Sequence, residues 1–207
     1  PKPQNPGVMK RYLIKKIKNV KQKLQFEDES DPAFQKALKE AGSGEFLDKT
    51  FMPEPNRLIP DWNDPSDEIQ SLTPVWKSYK WCKVKDIKSL NDDEGQVAIF
   101  FGDIEPTDIK QGALGNCYFL SAISVLTEHP KRIMRMFVSQ KMNKQGVYGI
   151  RMYKNGERQT VIIDDHIPCD SDGEPCFSKA NGNELWVMLL EKAWAKIHGS
   201  YERIIGG

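Results

Sequence analysis

Residues 108–126 read DIKQGALGNCYFLSAISVL, and the division of this stretch at Gly115-Asn116 decides the fold. After the break, Phe119, Leu120, Ala122, Ile123, Val125 and Leu126 follow one another with little polar interruption. Such a run predicts a helix over 117–128 that is apolar nearly all round and therefore buried. Asn116 is a good N-cap residue, which sets Cys117 in the first turn. Before the break, Gly112 and Gly115 leave room for a substrate backbone to approach.

A cysteine that attacks a carbonyl does so as a thiolate, and a free thiol titrates at about 8.5. The N-terminus of a helix supplies roughly half a positive charge and unpaired N–H groups. Gln111 lies six residues before Cys117. A side-chain amide there can reach over the helix N-terminus and, with the Cys117 N–H, form a two-donor oxyanion hole. A lone cysteine at this position reads as a structural thiol, because free Cys is among the most buried residue types. The pattern QGxLGxC, followed by an aromatic and an apolar helix, favours the nucleophile.

Outward from this centre, 97–101 (VAIFF) reads as a short buried strand, and Pro130 opens another short helix. Residues 147–153 and 159–164 read as strands joined at the hairpin signal Asn155-Gly156. Residues 184–198 predict a second buried helix. Toward the N-terminus, Asp31 and Pro32 are the N-cap and first residue of a helix ending near Gly42-Ser43-Gly44. Residues 45–80 are rich in Pro, Asp and Asn, with scattered tryptophans, and suggest an extended segment wrapped over a body. Residues 10–24 place Leu13, Ile17, Val20 and Leu24 at helical spacing among lysines. Helices mixed with antiparallel strands indicate an α+β fold.

The 207 residues are 39% hydrophobic and 10% aromatic, too apolar for a disordered chain. No run approaches the roughly 18 apolar residues of a membrane span. The net charge of +1 hides an asymmetry: residues 1–25 hold eight Lys/Arg and no acid, leaving 22 basic and 29 acidic residues, net −7, in the remainder. A mildly acidic body argues against nucleic acid as a partner. The basic N-terminus lacks the apolar block of a signal peptide, so Cys82, Cys117, Cys169 and Cys176 read as reduced thiols of an intracellular protein. The chain opens on Pro1 and closes on Gly206-Gly207, which reads as a piece of something larger.

Three separated blocks carry a family resemblance: QGALGNCYFLSAISVL (111–126), DDHIPCDSDGEP (164–175) and ELWVMLLEKAWAKIHGSYERIIGG (184–207). In this order they resemble the protease core of calpains, a branch of the papain clan of cysteine proteases. The resemblance runs over residues 95–207 and is loose over 27–94. It implies a basic tail over 1–25, a lead-in wrapped on the core over 26–94, and over 95–207 the first of two subdomains of a papain-like fold. It also implies a calcium-dependent cytoplasmic endopeptidase performing limited proteolysis of protein substrates. By this resemblance Cys117 is the nucleophile and Gln111 the oxyanion-hole side chain, with Gly115 and Gly207 along the substrate backbone. Calcium would be held by the side chains of Asp108 and Glu184 and the carbonyls of Phe101 and Asp103. Without the resemblance, Asp108 and Glu184 read as capping or solvated carboxylates. Three positions depart from the family: Asn116 stands where calpains usually have Asp, Tyr118 where they have Trp, and Asp103 where they have Gly. The first two keep the cap and the aromatic packing. The third adds a carboxylate to the calcium loop or disturbs it.

A thiol nucleophile needs a histidine within hydrogen-bond reach. His129 lies twelve residues beyond Cys117, about 18 Å along a helix. His166 reads as an exposed turn residue and His198 as a cation at a helix C-terminus. The family places its His and Asn in the second subdomain, so this chain alone is expected to lack peptidase activity. The alternative is a non-catalytic calpain-like module that binds calcium or protein. His166, Cys169 and Cys176 match no paired zinc pattern. The run Asp170, Asp172, Glu174 reads as a solvated turn, since an EF-hand loop in this register would begin at Pro168. The basic segment 10–24 reads in three ways: a surface for anionic lipid, a ligand for an acidic partner groove, or a solvated linker.

Overall fold

Asp31 and Pro32 open the first helix as their chemistry requires. The Asp31 carboxylate accepts the N–H groups of Ala33 and Phe34 at 3.0 and 3.2 Å. Pro32 lacks the N–H that would otherwise go unpaired there. In the computed structural model, which describes residues 28–91 and 97–206, this helix, α1, spans Pro32–Ala41 and closes on Gly42 at φ 59°. Thr160 donates to the same Asp31 carboxylate at 2.6 Å, so the cap also ties α1 to the hairpin described below. The segment 10–24 and Gly207 lie outside the described residues.

Short helical turns at Pro55–Arg57 and Gln70–Leu72 lead into α2 (Thr73–Trp76), β1 (Lys80–Lys83) and α3 (Lys88–Asn91). Apart from β1, this stretch is held by aromatic packing rather than by regular pairing. Trp76 sits 4.9 Å from Phe177 between ring centroids, and Phe177 sits 4.7 Å from Tyr201. Phe51, Leu58, Ile59 and Ile69 are buried in the same cluster. Each such side chain withdrawn from water contributes about 1.5–3 kcal/mol.

Next come α4 (Cys117–Thr127), α5 (Pro130–Met136), β2 (Tyr148–Lys154), β3 (Glu157–Ile163), β4 (His166–Cys169) and α6 (Trp186–His198). β2 and β3 form an antiparallel hairpin with Tyr148 opposite Ile163. Its turn is Asn155-Gly156, both at positive φ, the left-handed pair that a two-residue hairpin loop demands. β4 pairs antiparallel with β1, Lys80 opposite Cys169. The two small sheets and the helices make an α+β fold. The main core gathers Phe119, Leu120 and Ile123 of α4, Ile150 and Ile163 of the hairpin, and Trp186 to Leu190 of α6.

Two expectations are corrected. Residues 97–101 form no strand: Ala98 makes a single parallel bridge to Glu184. The partner stretch passes into α6 within two residues, so the ladder has nothing to extend along. Ile99 and Phe100 are buried, but Phe101 is 52% exposed. Helix α4 is buried on one face only. Cys117, Ser121 and Ala122 are exposed, and Val125 is 63% exposed, because the core lies to one side.

Charges also enter the interior. Lys192 and Asp164 are fully buried and paired. Lys192 Nζ also donates to the carbonyls of Asp164 and His166 at 3.0 and 2.7 Å, which satisfies all three of its protons. The other Asp164 oxygen accepts the Asp48 N–H at 2.9 Å, and Asp48 pairs with Lys196 at 2.6 Å. This network clamps residue 48 to the start of β4 and to α6. His166 is therefore not an exposed turn residue; it begins β4 with Nδ1 3.1 Å from Asp164.

Candidate active site

The segment carrying Gln111 is laid against residues 176–179. Lys110 and Lys179 exchange backbone hydrogen bonds at 2.8 and 2.9 Å, and the Ala113 N–H donates to Cys176 O at 2.9 Å. Gly112 faces this neighbour so closely that a Cβ would fall 2.2 Å from Phe177 O. Its missing side chain is thus required by internal packing, not by an approaching substrate. The chain then turns: Asn116 N–H donates to Leu114 O, and Gly206 N–H donates to Gly115 O, both at 2.9 Å.

Helix α4 begins as Phe119 and Leu120 donate to Asn116 O at 3.0 and 3.2 Å. Cys117 stands in its first turn, exposed, where an α-helix offers its own N–H groups no acceptor. The Asn116 side chain does not cap the helix, contrary to expectation. It is buried and donates instead to Glu191 at 2.7 Å, because α6 passes directly beneath the turn. Tyr118 Oη accepts from Trp194 Nε1 at 3.1 Å, and Phe119 stacks on Trp194 with ring planes 11° apart. These contacts seat the start of α4 on α6.

Gln111 and Cys117 line one cleft of about 420 Å³, with Pro106 and Ile109 before them and Leu120, Ser121, Ser124 and Val125 along α4. Gln111 Nε2 donates to Leu114 O at 3.0 Å, which uses one amide proton and leaves the second. Two of the other cysteines are less accessible than Cys117. Burial pushes the Cys169 and Cys176 thiols well above their ordinary value, which makes them poor nucleophiles. No histidine is among the residues lining the cleft. His198 Nδ1 lies 2.9 Å from Trp194 O, at the end of α6.

Of the four residues singled out by resemblance, Glu184 and Phe101 meet directly. Glu184 is buried; its carboxylate accepts the Phe101 N–H and, at 2.9 Å, Trp186 Nε1. Asp108 accepts the Glu105 N–H at 2.7 Å, and its carbonyl accepts Asn181 N–H at 3.0 Å. Asp103 is exposed on the loop between them. Among the described residues, no three His, Cys, Asp or Glu side chains converge as a metal cluster.

Glu191 has no role in the motifs read from the sequence. It is buried on α6 and accepts Asn116 Nδ2 at 2.7 Å and the Ser178 N–H at 3.1 Å. Burial pushes its carboxyl up to about 7 against the pull of those hydrogen bonds. Its signal in the sequence is a Glu-Lys pair inside the apolar run LWVMLLEKAW.

Residues 46–207 match the family described as calpain family cysteine protease. The calpain-type cysteine protease DEK1 of Arabidopsis thaliana is 39% identical over 176 residues, which are 84% of this chain and 8% of that protein. Calpain-5 of Caenorhabditis elegans is 38% identical over 170 residues, 78% of this chain and 24% of that protein. The human calpain-2 catalytic subunit is 42% identical over 110 residues, 51% of this chain and 16% of that protein. The chain spans less than a quarter of the length of these curated relatives. The family match covers most of its residues, and the chain belongs to the calpain family of cysteine proteases.

Proposed function

We propose that this chain carries the nucleophile half of a calcium-dependent cysteine endopeptidase that cleaves cytoplasmic proteins at a limited number of bonds. The observation that supports this reading is the shared cleft: the exposed Cys117, at a helix start, and Gln111 both line it. The Cys117 thiolate attacks the scissile carbonyl carbon. The tetrahedral oxyanion accepts from the Cys117 N–H and from the second amide proton of Gln111. The amine leaves with a proton, and water hydrolyses the thioester. The base is a histidine, oriented by an asparagine, from a second subdomain of the same complete protein, so the isolated chain lacks turnover. In this reading residues 1–25 are a tail that touches a membrane or a partner, 26–94 a lead-in, and 95–207 the first core subdomain.

Calcium fits the donor chemistry of the loop beside the cleft. Asp108, Glu184 and the carbonyls of Phe101 and Asp103 are hard oxygens, and water completes the six to eight that calcium takes. Bound there, the ion would supply positive charge and order to the loop that leads into Gln111. The decisive test is Cys117→Ser in the complete protein, assayed with casein and a fluorogenic peptide. We expect turnover to fall at least about 10³-fold. Retained turnover overturns the assignment and leaves a calcium- or protein-binding module in its place.

A further inference from the structure

We infer that Glu191 is a positioning residue for the nucleophile, its buried carboxylate setting the separation of Cys117 and Gln111. The inference rests on the peptidase reading above. One Glu191 oxygen holds Asn116, the residue immediately before Cys117. The other holds the Ser178 N–H. Ser178 belongs to the stretch that pairs with Lys110 and Ala113 on either side of Gln111. A single side chain on α6 therefore pins both the turn that presents the thiol and the segment that presents the amide. Neither bond is made to a solvent-exposed group, since Asn116 and Ser178 are both buried.

The tie is sensitive to protonation. An ionised carboxylate accepts two charge-assisted hydrogen bonds, roughly twice as strong as neutral ones. The carboxyl titrates at about 7, so the strong form is present above neutrality and weakens as pH falls through it. Asn116 Oδ1 is buried without a hydrogen-bond partner, which leaves an acceptor in the pocket for a protonated neighbour. The titratable groups facing Glu191 are Tyr201 and Cys176, both pushed up by burial. Lys192 follows on the helix, but its ammonium is turned to Asp164 and His166. Tyr201 and Cys176, raised from ordinary values already above 8, stay uncharged between pH 6 and 8, and burial lifts Glu191 into that range.

The test uses the complete protein. The rate of Cys117 carboxamidomethylation by iodoacetamide is followed by mass spectrometry from pH 5 to 9, alongside kcat and KM per titrated active site. Glu191→Gln is expected to remove one inflection near pH 7 from the alkylation profile. It should also lower kcat about tenfold at pH 8 with KM within twofold. Asn116→Asp sets a second carboxyl against Glu191 and should move that inflection upward by at least about one pH unit. A Glu191→Gln profile that superimposes on the wild type overturns the proposal. If that variant does not fold, an unmoved inflection in Asn116→Asp does the same. Should the wild type alkylate with the expected profile yet cleave no peptide, the peptidase reading fails while the positioning role stands.

Discussion

Lys192→Met keeps the length and bulk of the side chain and deletes its charge. Three hydrogen bonds go with it, to the Asp164 carboxylate and to the carbonyls of Asp164 and His166. Asp164 stays behind with no exposure, holding the N–H groups of Asp48 and His166 at 2.9 and 3.0 Å and the His166 ring, but no ammonium. Stripping one partner from a buried pair costs about 3–5 kcal/mol, because the surviving charge is uncompensated. For a chain of this size, that lowers Tm by about 6–20 °C. Burial alone would raise the Asp164 carboxyl. The His166 hydrogen bond, the Lys192 charge and the Asp48 N–H outweigh it and hold the carboxyl well below the usual range. The sign follows from linkage: the stabilisation is complete above the unfolded value of about 3.9 and is lost as pH falls through the folded one. Thermal unfolding by calorimetry at pH 7 and at pH 3 should therefore show a wide gap between wild type and variant that narrows in acid. Adding Asp164→Asn, which removes the stranded charge and keeps an acceptor for one of the Asp48 and His166 N–H groups, should recover part of the loss. A single variant within about 1 kcal/mol of wild type at pH 7 would refute the argument.

Gln111→Ala should lower kcat about 10²–10³-fold with KM little changed, as expected of a donor that acts on the oxyanion; an equal rise in KM alone would assign it to ground-state binding. Gly112→Ala forces a Cβ against Phe177 O and should destabilise by about 1–3 kcal/mol in urea unfolding while disturbing the adjacent Gln111. Calcium titration of Asp108→Ala by calorimetry should lose the binding event assigned to the loop, and an isotherm identical to wild type would remove Asp108 from the ligand set.

The elements that could be read from sequence are those whose instructions are local. Asp31-Pro32 caps a helix through N–H groups two and three residues away. Asn155-Gly156 supplies the positive φ pair of its own turn. Gly115-Asn116 breaks the chain where α4 starts. The misreadings share the opposite property. Asn116 is at the N-cap position, but its side chain goes to Glu191, 75 residues on. The apolar stretch 97–101 has strand composition and no strand to pair with. Gly112 is explained by the carbonyl of Phe177, not by its own neighbours.

The sequence by itself determined where α4 starts, the hairpin, the two principal helices and the family, because spacing and composition within a few residues encode each of them. Only the tertiary structure decided that Gln111 shares a cleft with Cys117, that one face of α4 is left open, and that a buried carboxylate on α6 underlies the turn between them. Those relations depend on which distant segments desolvate one another, and the free energy of a buried charge or a missing Cβ exists only once the chain has closed around it.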